Sequence, residues 1–249
     1  MIDLHMHIIP DVDDGSSSME ESVRMAKLAA DSGVTGIAAT PHCNIPDEFE
    51  NYDSILFRAN LRALRQELQR QKIPLTVYSG MEVYGTPDVP ELLDQGRLVL
   101  LNDRRYLLIE FAFEEDPELI RQILEGVLRR GCTPLIAHPE RYFYVMRDPQ
   151  LVYEWYRMGC RLQMNKGSIL GRFGERIRRL SMELLDHELI SCVASDAHSA
   201  WQRTPFMTEV RDVLEMEFGP DCPDLLLREN PARILEGKDV YRLRPYGFR

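Results

Sequence analysis

Basic residues are in deficit in this sequence: 30 lysines and arginines stand against 40 aspartates and glutamates, a net charge of -10. No overall basic footprint for gripping nucleic acid exists, which argues against a nuclease or any nucleic-acid partner. Long apolar runs are also missing; none approaches the roughly 18 residues of a membrane span, so direct membrane insertion is not expected. The start, Met1-Ile2-Asp3-Leu4-His5, lacks a basic stretch followed by an apolar one, and no signal peptide is expected. Cysteine is sparse and scattered. Cys43, Cys132, Cys160, Cys192 and Cys222 are odd in number and form no CxxC pair, which points to reduced thiols in a cytoplasmic protein. Repeats, low-complexity tracts and long linkers are absent too, so residues 1–249 are expected to form a single domain.

What is present is an alternation of short apolar runs with amphipathic segments, the pattern of βα units around a parallel sheet. Strands are expected at Met1–His7, Gly36–Thr40, Leu75–Ser79, Tyr106–Phe111, Thr133–Ala137, Arg161–Asn165 and Ser191–Ser195. Leu107-Leu108-Ile109 and Leu135-Ile136-Ala137 are continuous apolar runs, as strands covered on both faces require. Helices are expected at Ser18–Ser32, where Val23, Ala26, Lys27 and Ala30 recur at helical spacing before Gly33, and at Tyr52–Gln71. Others are expected at Pro117–Arg130 behind an Asp116 cap, at Pro205–Glu217, and from Asn230-Pro231 to Gly237. Seven strands in alternation imply an α/β barrel, closed or nearly so, with its chemistry at the C-terminal strand ends.

Five of the six histidines fall at those ends. His5 and His7 lie two apart on a strand and so project to one face, an arrangement better explained by a shared cation than by two satisfied core residues. His42 follows the second strand, His138 the fifth, and Asp196 with His198 the seventh. Glu82 follows the third strand. Glu110 sits between Ile109 and Phe111, where an unpaired carboxylate is expensive to bury; its bland alternative is a salt bridge to an arginine. Asp13 and Asp14 in the first loop could reach the same centre or merely cap the following helix. Mixed imidazole and carboxylate donors suit Mn, Fe or Zn better than Ca or Mg, and eight or nine of them imply two or three ions. His187, near a helix end, is assigned no catalytic role.

Arg141 stands three residues past His138 and Arg203 five past His198; guanidinium groups beside a metal cluster match phosphate oxygens, which favours a phosphoester substrate. The residues imply direct hydrolysis by metal-activated water, without a phosphoenzyme. His42-Cys43 opens like a cysteine-phosphatase loop, but Phe49 stands where its arginine belongs, so Cys43 is read as a small packed residue. The aromatic cluster Tyr142-Phe143-Tyr144 is read as packing.

At these residues the chain resembles the polymerase-and-histidinol-phosphatase (PHP) superfamily, and within it the bacterial manganese-dependent protein-tyrosine phosphatases of capsule and exopolysaccharide operons, the CpsB/YwqE type. Asp3-Leu4-His5-Met6-His7 with Asp11-Val12-Asp13-Asp14-Gly15, Leu101–Tyr106 running into Ile109-Glu110-Phe111, Thr133–Tyr142, Val193–His198 and Asn230-Pro231 carry the resemblance. It implies a distorted (β/α)7 TIM-like barrel with three metals. By similarity His5, His7, Glu82 and Asp196 hold one ion; Glu82, Glu110 and His138 a second; His42, His198 and Asp14 (Asp13 being the other choice) the third. Asp196, Arg141 and Arg203 are then catalytic. The implied substrate is a tyrosine-phosphorylated protein, namely a membrane-associated bacterial tyrosine autokinase of polysaccharide export. A histidinol-phosphatase-like enzyme acting on small molecules and a non-catalytic metal-stabilised interaction protein are the rival readings.

Overall fold

In the computed structural model, which describes residues 1–241 and 244–248, the strands among the described residues are β1 (Ile2–Met6), β2 (Gly36–Ala39), β3 (His42–Ile45), β4 (Phe49–Glu50), β5 (Thr76–Ser79), β6 (Glu82–Tyr84), β7 (Tyr106–Glu110), β8 (Thr133–Ala137), β9 (Arg161–Asn165) and β10 (Cys192–Ala194). All seven expected strands are there. Three were not foreseen: β3, β4 and β6. Two of these are continuations. β2 breaks at Thr40-Pro41 and resumes as β3; β5 breaks at Gly80-Met81 and resumes as β6.

Joining the broken halves gives seven staves. Parallel pairing runs β1 to β2, β2 to β5, β3 to β6, then β6 to β7, β7 to β8, β8 to β9 and β9 to β10. The ring closes where the Asp196 N–H donates to the His5 carbonyl at 2.9 Å and the His7 N–H to the Ala197 carbonyl at 2.9 Å. The result is a distorted seven-staved α/β barrel with parallel strands; β4 alone is antiparallel, hung on β3 outside the ring.

The faces separate as period-two strands require. Along β7, Leu107 and Ile109 pack with helix residues such as Leu64, Leu124 and Val127, while Tyr106 and Leu108 join Leu135, Ala137 and Cys192 in a second cluster. Glu110 shares the parity of this inner set, so its carboxylate faces the barrel mouth rather than the helices.

Helices surround the staves. Met19–Asp31 is capped by Ser18, whose side chain accepts from the Glu21 N–H, and it ends at Gly33, φ +86°. Its buried face is Ser22, Val23, Met25, Ala26 and Ala29; Lys27, counted with the apolar row from spacing, is exposed. Helices Ile55–Arg70, Pro117–Leu128, Thr208–Phe218 and Asn230–Leu235 start or stop one to three residues from their expected bounds. No described helix is long and apolar enough to cross a membrane.

Tyr142 ties the sheet to the site loop. Its hydroxyl is buried, donates to the Ala137 carbonyl at 2.8 Å and accepts from the Phe111 N–H at 3.0 Å. Tyr142→Phe leaves that N–H unpaired, and a loss of about 1–3 kcal/mol in unfolding free energy is expected. Urea denaturation of the two proteins measures it; equal midpoints would refute the assignment.

Candidate metal centre

The stave ends bring together the residues that spacing had grouped. His5 and His7 leave β1 on one face; His42 opens β3 directly beside Glu82, which opens β6, and Glu110 closes β7. His42 and Glu82 are therefore strand residues held by pairing, not loop residues as their positions after Thr40 and Gly80 had implied. His138, Asp196 and His198 follow β8 and β10. All lie on the C-terminal side of the barrel, with His5, His7, Glu82, His138, Asp196 and His198 buried.

Second partners settle which nitrogen of each ring faces inward. Nδ1 of His5 lies 2.9 Å from Gln163 Oε1, Nδ1 of His7 lies 2.7 Å from Asp13 Oδ2, and Nδ1 of His198 lies 3.1 Å from the Asp196 carbonyl. Each acceptor calls for a proton on Nδ1, which leaves a bare lone pair on Nε2. Those lone pairs converge. Nε2 of His5 and Nε2 of His7 are 3.2 Å apart, each within 3.1–3.2 Å of Glu82 Oε2 and 3.5–3.6 Å of Asp196 Oδ1. Acceptors facing acceptors repel unless positive charge lies between them.

Three groups of donors could each enclose an ion: His5, His7, Glu82 and Asp196; His42, Glu82 and Glu110; and His7, Asp14, His42 and His198. Two donors about 2.1 Å from one ion stand about 3.0 Å apart in octahedral and about 3.4 Å apart in tetrahedral geometry. The observed separations match. His42 Nδ1 is 3.2 Å from Glu82 and 3.0 Å from Glu110; Asp14 Oδ1 is 3.5 Å from His42 Nε2 and 3.4 Å from His198 Nε2. His42 Nδ1 and His198 Nε2 are nevertheless buried without a hydrogen-bond partner, as lone pairs directed at a cation would be. His138 Nε2 meets the carboxylates that also face His42, at 3.0 Å from Glu82 and 3.7 Å from Glu110. The neighbours of Glu110 are thus imidazoles, not an arginine.

Asp13 and Asp14 part company here. Asp14 faces the donors with its side chain 55% exposed, while Asp13 lies behind them, fixing His7 and accepting from the His42 N–H at 2.9 Å. The loop that carries them packs tightly: a Cβ on Gly15 would lie 2.3 Å from the Cβ of His7.

Electrostatics follow from this crowding. Burial opposes charge on Glu82, but His5, His42 and His138 outweigh it and hold the carboxyl well below its usual range. Burial also works against the imidazolium of His7, and Asp13, Asp196 and Glu82 reverse that, raising its pKa well above the usual value. The hydrogen bond to His198 brings Asp14 down to about 2. Beside them Cys43 is fully buried, and burial pushes its thiol up to about 12.

Both arginines converge on Asp196. Arg203 donates to its Oδ2, and Arg141 Nη1 lies 3.6 Å from the same oxygen. The Arg141 guanidinium lies over the rings of Phe113, 5.0 Å from its centroid, and Phe173, 4.5 Å from its centroid. His138, Asp196 and Arg203 have φ of +35°, +51° and +49°, a left-handed backbone costing on the order of 1–3 kcal/mol each, of the kind that gathers at functional sites. Tyr142 and Tyr144 are buried, while Phe143 is exposed. His187 lies elsewhere, stacked on Tyr246 and Phe248. Gln163 and Asn165 on β9, with Glu140 beyond β8 and Lys166 beyond β9, are buried polar residues that were not singled out from the sequence. For Gln163 and Asn165 the available signal was the alternation of polar and apolar residues along Arg161-Leu162-Gln163-Met164-Asn165.

Residues 1–236 match the family described as capsular polysaccharide synthesis, CpsB/CapC. The chain belongs to the CpsB/CapC family. Relatives include the tyrosine-protein phosphatase YwqE of Bacillus subtilis, 36% identical across 98% of this chain and 95% of that protein. The tyrosine-protein phosphatase CpsB of Streptococcus agalactiae is 33% identical across 95% of this chain and 98% of its own. A crystal structure from work on YwqE of Bacillus subtilis and CpsB of Streptococcus pneumoniae, described as unique metal-dependent tyrosine phosphatases, superposes with a TM-score of 0.93 at 34% identity, covering both chains fully. A dihydropyrimidinase from Brevibacillus agri, 10% identical, shares the fold at a TM-score of 0.56 over 95% of this chain and 70% of that one.

Because His5, His7 and His42 carry raised pKa values when protons serve as their counter-charge, adding a divalent cation should displace protons. Binding should strengthen as pH rises through those values. Calorimetric titration with Mn at pH 6 and pH 8, in buffers of different ionisation enthalpy, measures both effects; pH-independent binding without proton release would refute the donor assignment.

Proposed function

We propose that the chain is a metal-dependent protein-tyrosine phosphatase that hydrolyses phosphotyrosine directly, with residues 1–249 acting as one domain. The observation that carries the reading is the convergence of imidazole lone pairs and carboxylates beside two arginines. Membership of a family whose relatives are named tyrosine-protein phosphatases supports it.

In this reading His5, His7, Glu82 and Asp196 hold one ion. Glu82, Glu110 and His138 hold a second, with His42 at its edge; Asp14, His42 and His198 hold a third. Manganese is the proposed ion, and iron or zinc suit the same donors. Bound divalent ions supply a nucleophilic water at neutral pH and neutralise phosphoryl charge. The chain's own residues do the rest. Arg141 and Arg203 grip the phosphoryl oxygens, and Asp196 holds both guanidiniums at the phosphate position as well as serving as a ligand. Asp13 and Gln163 keep Nδ1 of His7 and His5 protonated so that Nε2 stays available. A tyrosine phenolate, with a reference pKa of about 10, leaves without strong acid assistance.

The partly exposed Asp14 (55%) and Arg203 (33%) open the centre to a protein substrate. The proposed partner is a membrane-associated bacterial tyrosine kinase controlling capsular or exopolysaccharide synthesis, met from the cytoplasm. The family description as capsular polysaccharide synthesis supports that setting.

Purified protein should release phosphate from a tyrosine-phosphorylated peptide with Mn present and lose that activity with a chelator. Arg141→Ala should lower kcat/KM by about 100- to 1000-fold while Mn content is kept. Histidinol phosphate run in parallel tests the substrate. Turnover of it alone would move the reading to a small-molecule phosphatase, and absence of any turnover would leave a metal-stabilised binding protein.

A further inference from the structure

One buried charge has no part in the chemistry above. Lysine is rare here: four of the 30 basic residues are lysines, and Lys27, Lys72 and Lys238 are exposed. Lys166 is 2% exposed. Its ammonium donates to two backbone carbonyls, those of Thr204 and Phe206, the latter at 2.6 Å. Burial lowers its pKa to about 8, against an opposing pull from Asp3. An ammonium taken out of water and matched mainly to peptide carbonyls is a costly arrangement, so what the carbonyls belong to matters.

They flank Pro205 in Arg203-Thr204-Pro205-Phe206. This segment runs from a non-glycine residue in left-handed backbone, Arg203, through a proline that has no N–H to donate. It precedes the helix Thr208–Phe218, and its other anchor is the His198 N–H, which donates to the Arg203 carbonyl at 3.0 Å. The residue before the lysine acts on the facing partner: Asn165 Nδ2 donates at 2.6 Å to Asp196 Oδ2, the oxygen that also receives Arg203. Behind both, the buried carboxyl of Glu140 accepts from the Asn165 N–H at 3.0 Å and from the Ser168 hydroxyl at 2.6 Å, fixing this turn after β9. Two consecutive residues therefore set the two halves of one ion pair. Asn165 places the carboxylate, and Lys166 places the loop that delivers the guanidinium.

We propose that Lys166 is a positioning residue for Arg203, holding the Arg203–Phe206 loop so that the guanidinium is preset for phosphate rather than recruited from solvent. This rests on the reading of Arg203 as a phosphate-binding residue. A compact ammonium reaching two carbonyls is suited to the task in a way that a planar guanidinium is not.

A double-mutant cycle tests it. Lys166→Met and Arg203→Ala are measured singly and together with Mn-loaded protein, reading kcat/KM on a tyrosine-phosphorylated peptide and the inhibition constant of inorganic phosphate. Lys166→Met should lower kcat/KM by about 10- to 100-fold and weaken phosphate binding, with Mn content unchanged. In the Arg203→Ala background it should cost less than about twofold more, because the loop then has nothing to deliver. If the two losses multiply instead, or if Lys166→Met keeps full activity and phosphate affinity, the proposal is wrong. An Arg203→Ala protein indistinguishable from the parent would remove the role of Arg203, and the proposal with it. Should Lys166→Met fail to fold, as judged by thermal melting, Lys166→Gln keeps one donor for a single carbonyl and carries the same cycle.

Discussion

A carboxylate shut away from water stays charged only where positive charge surrounds it, and Glu82 is 1% exposed with imidazoles of His5, His7, His42 and His138 within 3.0–3.2 Å. Much of the barrel mouth is arranged to meet that condition. The break at Thr40-Pro41 restarts a strand so that His42 pairs in register with Glu82, and the break at Gly80-Met81 does the same for Glu82 itself.

The centre is held from behind as firmly as from within. Asp13, Gln163 and the Asp196 carbonyl each occupy one ring nitrogen, so the tautomers of His7, His5 and His198 follow from hydrogen bonding. The backbone strain at His138, Asp196 and Arg203 is tolerated because packed strands end one residue before His138 and two before Asp196, and the His198 N–H and Lys166 fix the loop of the third. Order at the mouth is set by the strands below it.

Much of this was legible in the sequence. Period-two spacing placed His5 with His7, and the apolar runs of β7 and β8 announced buried strands with Glu110 and His138 at their ends. Two kinds of feature were not legible. The resumed strands at His42 and Glu82 begin straight after Pro41 and Met81, where local chemistry reads as a loop; only pairing with distant strands makes them strands. The supporting residues were hidden for another reason: Gln163, Asn165 and Lys166 carry no motif, and their meaning comes from contacts with His5, Asp196 and Thr204, 31 or more positions away. The choice between Asp13 and Asp14 was of this type too, since neighbouring carboxylates differ only in which way the loop turns them.

The sulfur next to His42 bears on how such a centre responds to oxidants. With burial pushing its thiol up to about 12 and no exposure, Cys43 stays protonated at neutral pH. Hydrogen peroxide and alkylating reagents, which silence phosphatases that depend on a reactive sulfur, find no nucleophile there. An oxidant that acts on this site has to act on something other than that sulfur, so the place that thiol chemistry occupies in such phosphatases is left to whatever the imidazoles and carboxylates hold.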